Sequence, residues 1–222
     1  MTYKYETHCH TEESSGCGAI SGAALADRYK ELGFSGIIVT DHFLNGYSCA
    51  PHDAPWRRRI DIITAGYKAA KARGDEIGLS VCYGFEFTHL GKDVLTYGLT
   101  PDFLYKNKDI DKLSLPEYCV LARKHGAFLA QAHPYRDRDY IQKKGPLAPE
   151  LLDAIETKNA SDPPDSNKKA LAFAQKHDLP IQAGSDAHSY HDAGKSGIEI
   201  DFLAKDVNDI ISAIKNFKVK IL

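Results

Sequence analysis

The sequence has no disulfide framework. Its five cysteines (Cys9, Cys17, Cys49, Cys82 and Cys119) are odd in number, widely scattered and never spaced CxxC. That excludes a cystine-stapled secreted scaffold and an all-cysteine zinc site, and it sets the expectation of a reducing, cytoplasmic compartment. No apolar run approaches the roughly 20 residues needed to span a bilayer. The opening MTYKYETHCH carries no apolar stretch of the signal-peptide kind, so neither membrane insertion nor cleavage is expected. An excess of one charge is missing too: 28 Lys and Arg stand against 30 Asp and Glu, a net charge of −2. A protein that grips long nucleic acid stably is normally basic, so that class is disfavoured. No linker, repeat or low-complexity tract divides the 222 residues, of which 43% are hydrophobic. One domain over 1–222, with enough chain to bury a core without staples, is the expectation.

What is present is an alternation of short β-rich runs with amphipathic helical stretches. Strands are expected over 3–8, 36–42, 79–87, 93–99, 127–133, 154–160, 180–188 and 197–202, with a further one in the terminal KVKIL. Helices are expected from Ser21 to a stop at Gly33 and over 56–73, 116–125, 166–178 and 207–216. The segment GIIVTDH is apolar throughout until its polar end, as suits a parallel strand covered on both faces. Together these predict an α/β fold, a closed or partly closed barrel.

Strand after strand ends in His, Asp or Glu: His8 and His10, Asp41 and His42, Glu86, His133, Asp186 and His188. In α/β barrels the C-terminal strand ends build the site, so residues distant in sequence would converge on one face. His8 and His10 alternate with Cys9 and so share a face, as do Asp186 and His188. Glu86 closes an apolar run, where a carboxylate is costly unless it is paired or binds a metal. Imidazoles and carboxylates without a thiolate set suit zinc, manganese or iron. Two such cations about 3.5–4 Å apart are standard equipment for cleaving phosphate esters.

These motifs carry a resemblance. HxH (His8, His10), TDH (Thr40 to His42), a glycine-led Glu (Gly84 to Glu86), AHP (Ala132 to Pro134) and SDAH (Ser185 to His188) follow in the order seen in the PHP family, the polymerase and histidinol phosphatase domain. The resemblance implies a distorted (β/α)7 barrel with two or three divalent metal ions (Zn, Mn or Fe) at the C-terminal strand ends. By resemblance, His8, His10, Glu86 and Asp186 hold one metal. Glu86 bridges to a second held also by His133, and His42 and His188 hold a third. Glu86 and Asp186 are then the catalytic carboxylates. Two positions depart from the commoner pattern. Where many members place His or Asp five or six residues after the HxH, this chain has Ser15 and Gly16, and Glu13 is the substitute chosen over Glu12. In place of a strand of the HILGY type it has Asp93 to Tyr97, and Asp93 is chosen over His89.

For phosphate, Arg136 after AHPY is the best-placed fork-like cation, with His191 and His52 as further candidates to line the pocket. Arg57, Arg58 and Arg59 are expected to form a solvated helix face. The loop over 43–55 is expected to wall the pocket. The leading expectation is a metal-dependent phosphatase of a small phosphomonoester, histidinol phosphate or a nucleotide by resemblance. The alternatives are a PHP-type nuclease, a non-catalytic metal-binding regulatory module, and an amidohydrolase-type barrel. Chains of the last kind are generally longer and bridge their metals with a modified Lys where this chain offers Glu86.

Overall fold

The computed structural model describes residues 1–222. Nine strands form one sheet, in the order β7-β6-β5-β4-β3-β2-β1-β8-β9. The strands are β1 (Tyr3–Cys9), β2 (Gly36–Val39), β3 (Ser80–His89), β4 (Lys92–Tyr97), β5 (Phe128–Gln131), β6 (Ala154–Asn159), β7 (Ile181–Gly184), β8 (Ile198–Ile200) and β9 (Lys220–Ile221). The first seven stand side by side in chain order. The sheet nearly closes on itself, because Cys9 bridges Ala187 just past β7 and the His10 N–H donates to the Ala187 carbonyl at 2.9 Å. This is the α/β barrel the alternation predicted.

The repeat is interrupted at one place. β3 and β4 are joined by a hairpin instead of a helix, so β4 runs antiparallel to both β3 and β5 while the other barrel strands are parallel. The start of β4 therefore lies on the same rim as the ends of its neighbours, with Asp93 opposite Thr88. β8 and β9 extend the sheet beyond β1 in antiparallel fashion.

The helices are α1 (Gly22–Glu31), α2 (Trp56–Ile63), α3 (Ala65–Ile77), α4 (Pro101–Lys106), α5 (Leu115–Lys124), α6 (Pro164–Lys176) and α7 (Val207–Lys215). Their starts are chemically marked: Ser21 caps α1, Ser114 and Glu117 form a capping box on α5, and the Asp206 carboxylate accepts two N–H groups of α7. The single helix expected over 56–73 is two, because the Thr64 hydroxyl donates to the carbonyl of Ile60 at 2.8 Å and turns the chain between them. α1 and α3 touch at Gly22, where a Cβ would stand 2.2 Å from the Gly66 carbonyl oxygen. The α4 helix was not foreseen. No helix is long and apolar enough to cross a membrane.

Candidate metal centre

Barrel strands β1, β2, β3, β5 and β7 deliver polar side chains to one mouth, His8 and Glu86 from within their strands and the others from just past the strand ends. His8 and His10 point to the same side of β1, with their Nε2 atoms 3.1 Å apart. His8 can press against β7 because residue 184 is glycine; a Cβ there would lie 2.4 Å from the His8 Cβ. His133 and Asp186 adopt left-handed backbone angles, φ 29° and 51°. Non-glycine residues pay for that conformation in strain and hold it where surrounding contacts fix it, commonly at functional sites.

Glu86 is the hub. Its Oε1 lies 3.3 Å from His8 Nε2 and 3.4 Å from His133 Nε2; its Oε2 lies 2.8 Å from His42 Nδ1 and 3.7 Å from His10 Nε2. The residue is 1% exposed, yet none of these contacts is a well-aligned hydrogen bond, so both carboxylate oxygens and His42 Nδ1 are left unsatisfied. Buried polar atoms are rarely left so. Together they ring a space suited to cations. On the other side, Asp186 Oδ1 stands 3.3 Å from both His8 Nε2 and His10 Nε2. The donors fall into overlapping sets: His8, His10 and Glu86; His8, His133 and Asp186; Glu86, Asp93 and His133; and His10, His42 and His188. The donor chemistry and the orphaned oxygens fit a centre of more than one divalent ion.

The charges are arranged accordingly. Burial alone would raise the Glu86 carboxyl, but the imidazoles of His42, His8 and His133 overcome it and hold the group well below the usual carboxylate range. Asp186 is likewise held low against its burial by His8, His10 and Arg136. Burial and the neighbouring His42 push His10 down to about 3, so its ring is neutral and has a lone pair to offer. Burial and the Glu86 charge push the Asp93 carboxyl up, and Thr88 donates to its Oδ1 at 2.6 Å.

Several members of the site escape sequence reasoning. Glu156, fully buried on β6, accepts from His8 Nδ1 at 3.0 Å, from the His133 N–H at 2.8 Å and from Asn159 Nδ2 at 2.9 Å. It fixes one ring through its tautomer and the other through its backbone, the orienting role that carboxylates play behind metal-binding histidines. Its strand reads AIETKN, mostly polar, so the argument that singled out Glu86 in an apolar run does not reach it. Ser15 stands between His10 Nδ1 and Asp41, donating to Asp41 Oδ1 at 2.7 Å. Cys17 faces His188 and His42, and although burial raises its thiol, those contacts draw it down to about 7.

Four expectations need correction. Glu13 is outside the cluster: both its carboxylate oxygens accept from the Gly22 N–H at 3.0 Å, at the start of α1. His191 is exposed, packs edge-on against Tyr190 and does not line the cavity; His52 is exposed as well. Arg136 does reach the cavity, but its fork is turned inward. Nε donates to Asp162 at 2.7 Å, and Nη2 donates to Asp186 at 2.7 Å and Asn159 at 3.2 Å. Of the arginine triplet, Arg57 and Arg58 are exposed as expected, while Arg59 is buried against Asp111 at 3.0 Å.

The sets open into a cavity of about 570 Å³, within the range of small-molecule sites. The loop over 43–55 contributes Asn45, Gly46 and Tyr47 to its wall, and Arg136 is its one cationic side chain apart from the histidines.

A family model described as PHP-associated matches residues 164–219, from α6 through α7. Over all of its length the chain is similar in structure to a two-domain protein of Bacteroides vulgatus containing a predicted PHP-like metal-dependent phosphoesterase, with a TM-score of 0.78 and 16% identity. What the two share is the fold. The chain spans 65% of that protein, just under two thirds. It is similar over all of its length to 91% of PsfC from Pseudomonas syringae (TM-score 0.67, 16% identity). It is also similar over all of its length to 58% of the lesion-specific endonuclease PfuEndoQ from Pyrococcus furiosus (TM-score 0.63, 14% identity). No curated protein matches the sequence. The HxH, TDH, Glu, AHP and SDAH segments meet at one barrel mouth.

Proposed function

We propose that the protein is a metal-dependent phosphoesterase, and within that class a phosphatase of a small phosphomonoester. The observation that carries the reading is Glu86, a buried carboxylate with both oxygens unsatisfied among the imidazoles of His8, His10, His42 and His133. In this reading His8, His10, Glu86 and Asp186 hold one divalent ion, Glu86, Asp93 and His133 a second, and His42 and His188 take part in a third. Bound zinc, manganese or iron would supply an acidified water and positive charge for the phosphoryl oxygens.

The chain's own groups do the rest. Glu156 presents the Nε2 edge of His8 to the site by accepting at Nδ1. Arg136 holds Asp186 Oδ2, so that Oδ1 is left to face the two histidines. Glu86 and Asp186 are ionised across the neutral range, so the catalytic carboxylates need shed no proton before substrate arrives. The single cavity arginine gives no basic track along which a long strand could lie. The five free thiols support a reducing, cytoplasmic setting.

A nuclease is the second reading. It is favoured by Tyr47 and Tyr140, 65% and 59% exposed at the cavity wall, where a base could stack, and by the likeness to the endonuclease. The deciding assay offers a small phosphomonoester and a single-stranded oligonucleotide to the same metal-loaded protein across a salt series. Monoester turnover with little salt dependence is expected. Cleavage of the oligonucleotide alone, falling steeply with salt, would overturn the phosphatase assignment.

A further inference from the structure

The loop between β1 and α1 closes the barrel mouth beside His42 and His188, and it is tightly fastened. The Gly16 N–H donates to the Tyr47 carbonyl at 2.7 Å, the Gly18 N–H to the Ser15 carbonyl at 2.9 Å, and the Ala19 N–H to the His188 carbonyl at 2.7 Å. Gly18 makes the fold-back possible, since a Cβ there would lie 2.4 Å from the Thr11 carbonyl oxygen. The residue this loop presents to the cavity is Cys17, a free thiol facing the rings of both His42 and His188.

Two other donors on the loop are already used. The Ser15 hydroxyl donates to Asp41 Oδ1 at 2.7 Å and accepts from the His42 N–H at 3.0 Å, and the Glu13 carboxylate caps α1. The two histidines, by contrast, are prepared to ligate. His188 Nδ1 donates to the Asp186 carbonyl at 2.8 Å, which fixes the ring and leaves Nε2 as its free nitrogen. His42 Nδ1 is buried, unsatisfied and aimed at the unsatisfied Glu86 carboxylate. His10 stacks between the two, with ring centroids 4.3 Å from His188 and 4.5 Å from His42.

We propose that Cys17, His42 and His188 form the third metal position of this site, a mixed sulfur and nitrogen set that selects zinc over manganese there. This rests on the reading of the barrel mouth as a metal centre. A thiolate is a soft ligand, and it favours zinc or other thiophilic ions where carboxylate sites accept manganese. The other two positions, built from carboxylates and imidazoles, lack that bias. The expected outcome is a centre in which one ion differs from the others in identity and in ease of removal.

The test loads the apoprotein with cobalt(II) or zinc and compares wild type with Cys17→Ser and Cys17→Asp. Wild type should bind three equivalents and, with cobalt, show a near-ultraviolet sulfur-to-metal charge-transfer absorption. Cys17→Ser should bind two equivalents without that absorption, while Cys17→Asp should recover the third equivalent but not the absorption. Should both variants misfold, the wild-type protein alone still decides: zinc should slow alkylation of Cys17 roughly tenfold or more, mapped by peptide mass, and leave the exposed Cys49 unaffected. A protein that binds two equivalents with or without Cys17, or whose Cys17 is alkylated equally fast with zinc, has no thiolate position, and the phosphoesterase reading survives. Binding of no metal in any form would defeat both.

Discussion

Glu156→Gln is the perturbation that probes most finely how this centre is held. The glutamate serves three donors with two oxygens: His8 Nδ1 on one, the His133 N–H and Asn159 Nδ2 on the other. A glutamine keeps the shape but replaces one oxygen with an NH2. If that NH2 faces His133 and Asn159, two buried N–H donors lose their acceptor. If it faces His8, the ring must accept at Nδ1 and carry its proton on Nε2, the edge that points to Glu86 and Asp186 at 3.3 Å. The first orientation costs buried hydrogen bonds and the second puts a proton on the edge that faces the site, a penalty of roughly 1–3 kcal/mol in either case. In metal affinity that corresponds to about 10–100-fold, the usual range for removing an orienting partner behind a ligand. The assay is a competition titration of zinc against a chelating dye, run on apoproteins whose folding is checked by circular dichroism. Affinity within about twofold of wild type would refute the claim that Glu156 orients these histidines.

Two further outcomes follow from the same geometry. Glu13→Ala should leave metal content unchanged while lowering the unfolding free energy by about 1 kcal/mol, the scale of a lost helix-start contact; a lost metal equivalent would instead restore Glu13 to the site. Burial pushes the Glu6 carboxyl up to about 7 from 4.5 although Ser185, Tyr29 and the His8 N–H donate to it. The folded apoprotein therefore keeps a proton that the unfolded chain has released, and stability falls as pH rises from below about 4.5 through about 7, by on the order of 3 kcal/mol from this group. Unfolding of wild type and Glu6→Gln across that window should show a steeper loss in wild type, and equal slopes would contradict it.

The strand-end residues were legible because each broke a local rule. His8 and His10 share a pleat face, Glu86 charges an apolar run, and Asp186 and His188 follow a glycine that lets β7 press on β1. What the sequence could not convey was where the chain turns back. Asp93 reaches the rim because β4 reverses in a hairpin, and nothing in its own neighbours separates it from His89. The loop after β1 likewise hides which side chain faces inward: Glu13 is nearer the HxH in sequence, but the fold-back fixed by the Ala19 to His188 hydrogen bond turns Cys17 to the cavity and Glu13 to α1. The engagement of Arg136 is invisible in the sequence because its partners Asp162 and Asp186 lie 26 and 50 residues away. Pairing at such separations leaves no trace in local pattern.

The central claim is that Glu86 bridges cations on which turnover depends. It is tested most directly by elemental analysis and phosphoester turnover measured together on reconstituted wild type and Glu86→Gln. At least two equivalents of zinc, manganese or iron are expected in wild type, with metal content and turnover falling together in the variant as the bridging charge is removed. Less than one equivalent in wild type, or a Glu86→Gln protein that keeps both metal and turnover, would contradict the account.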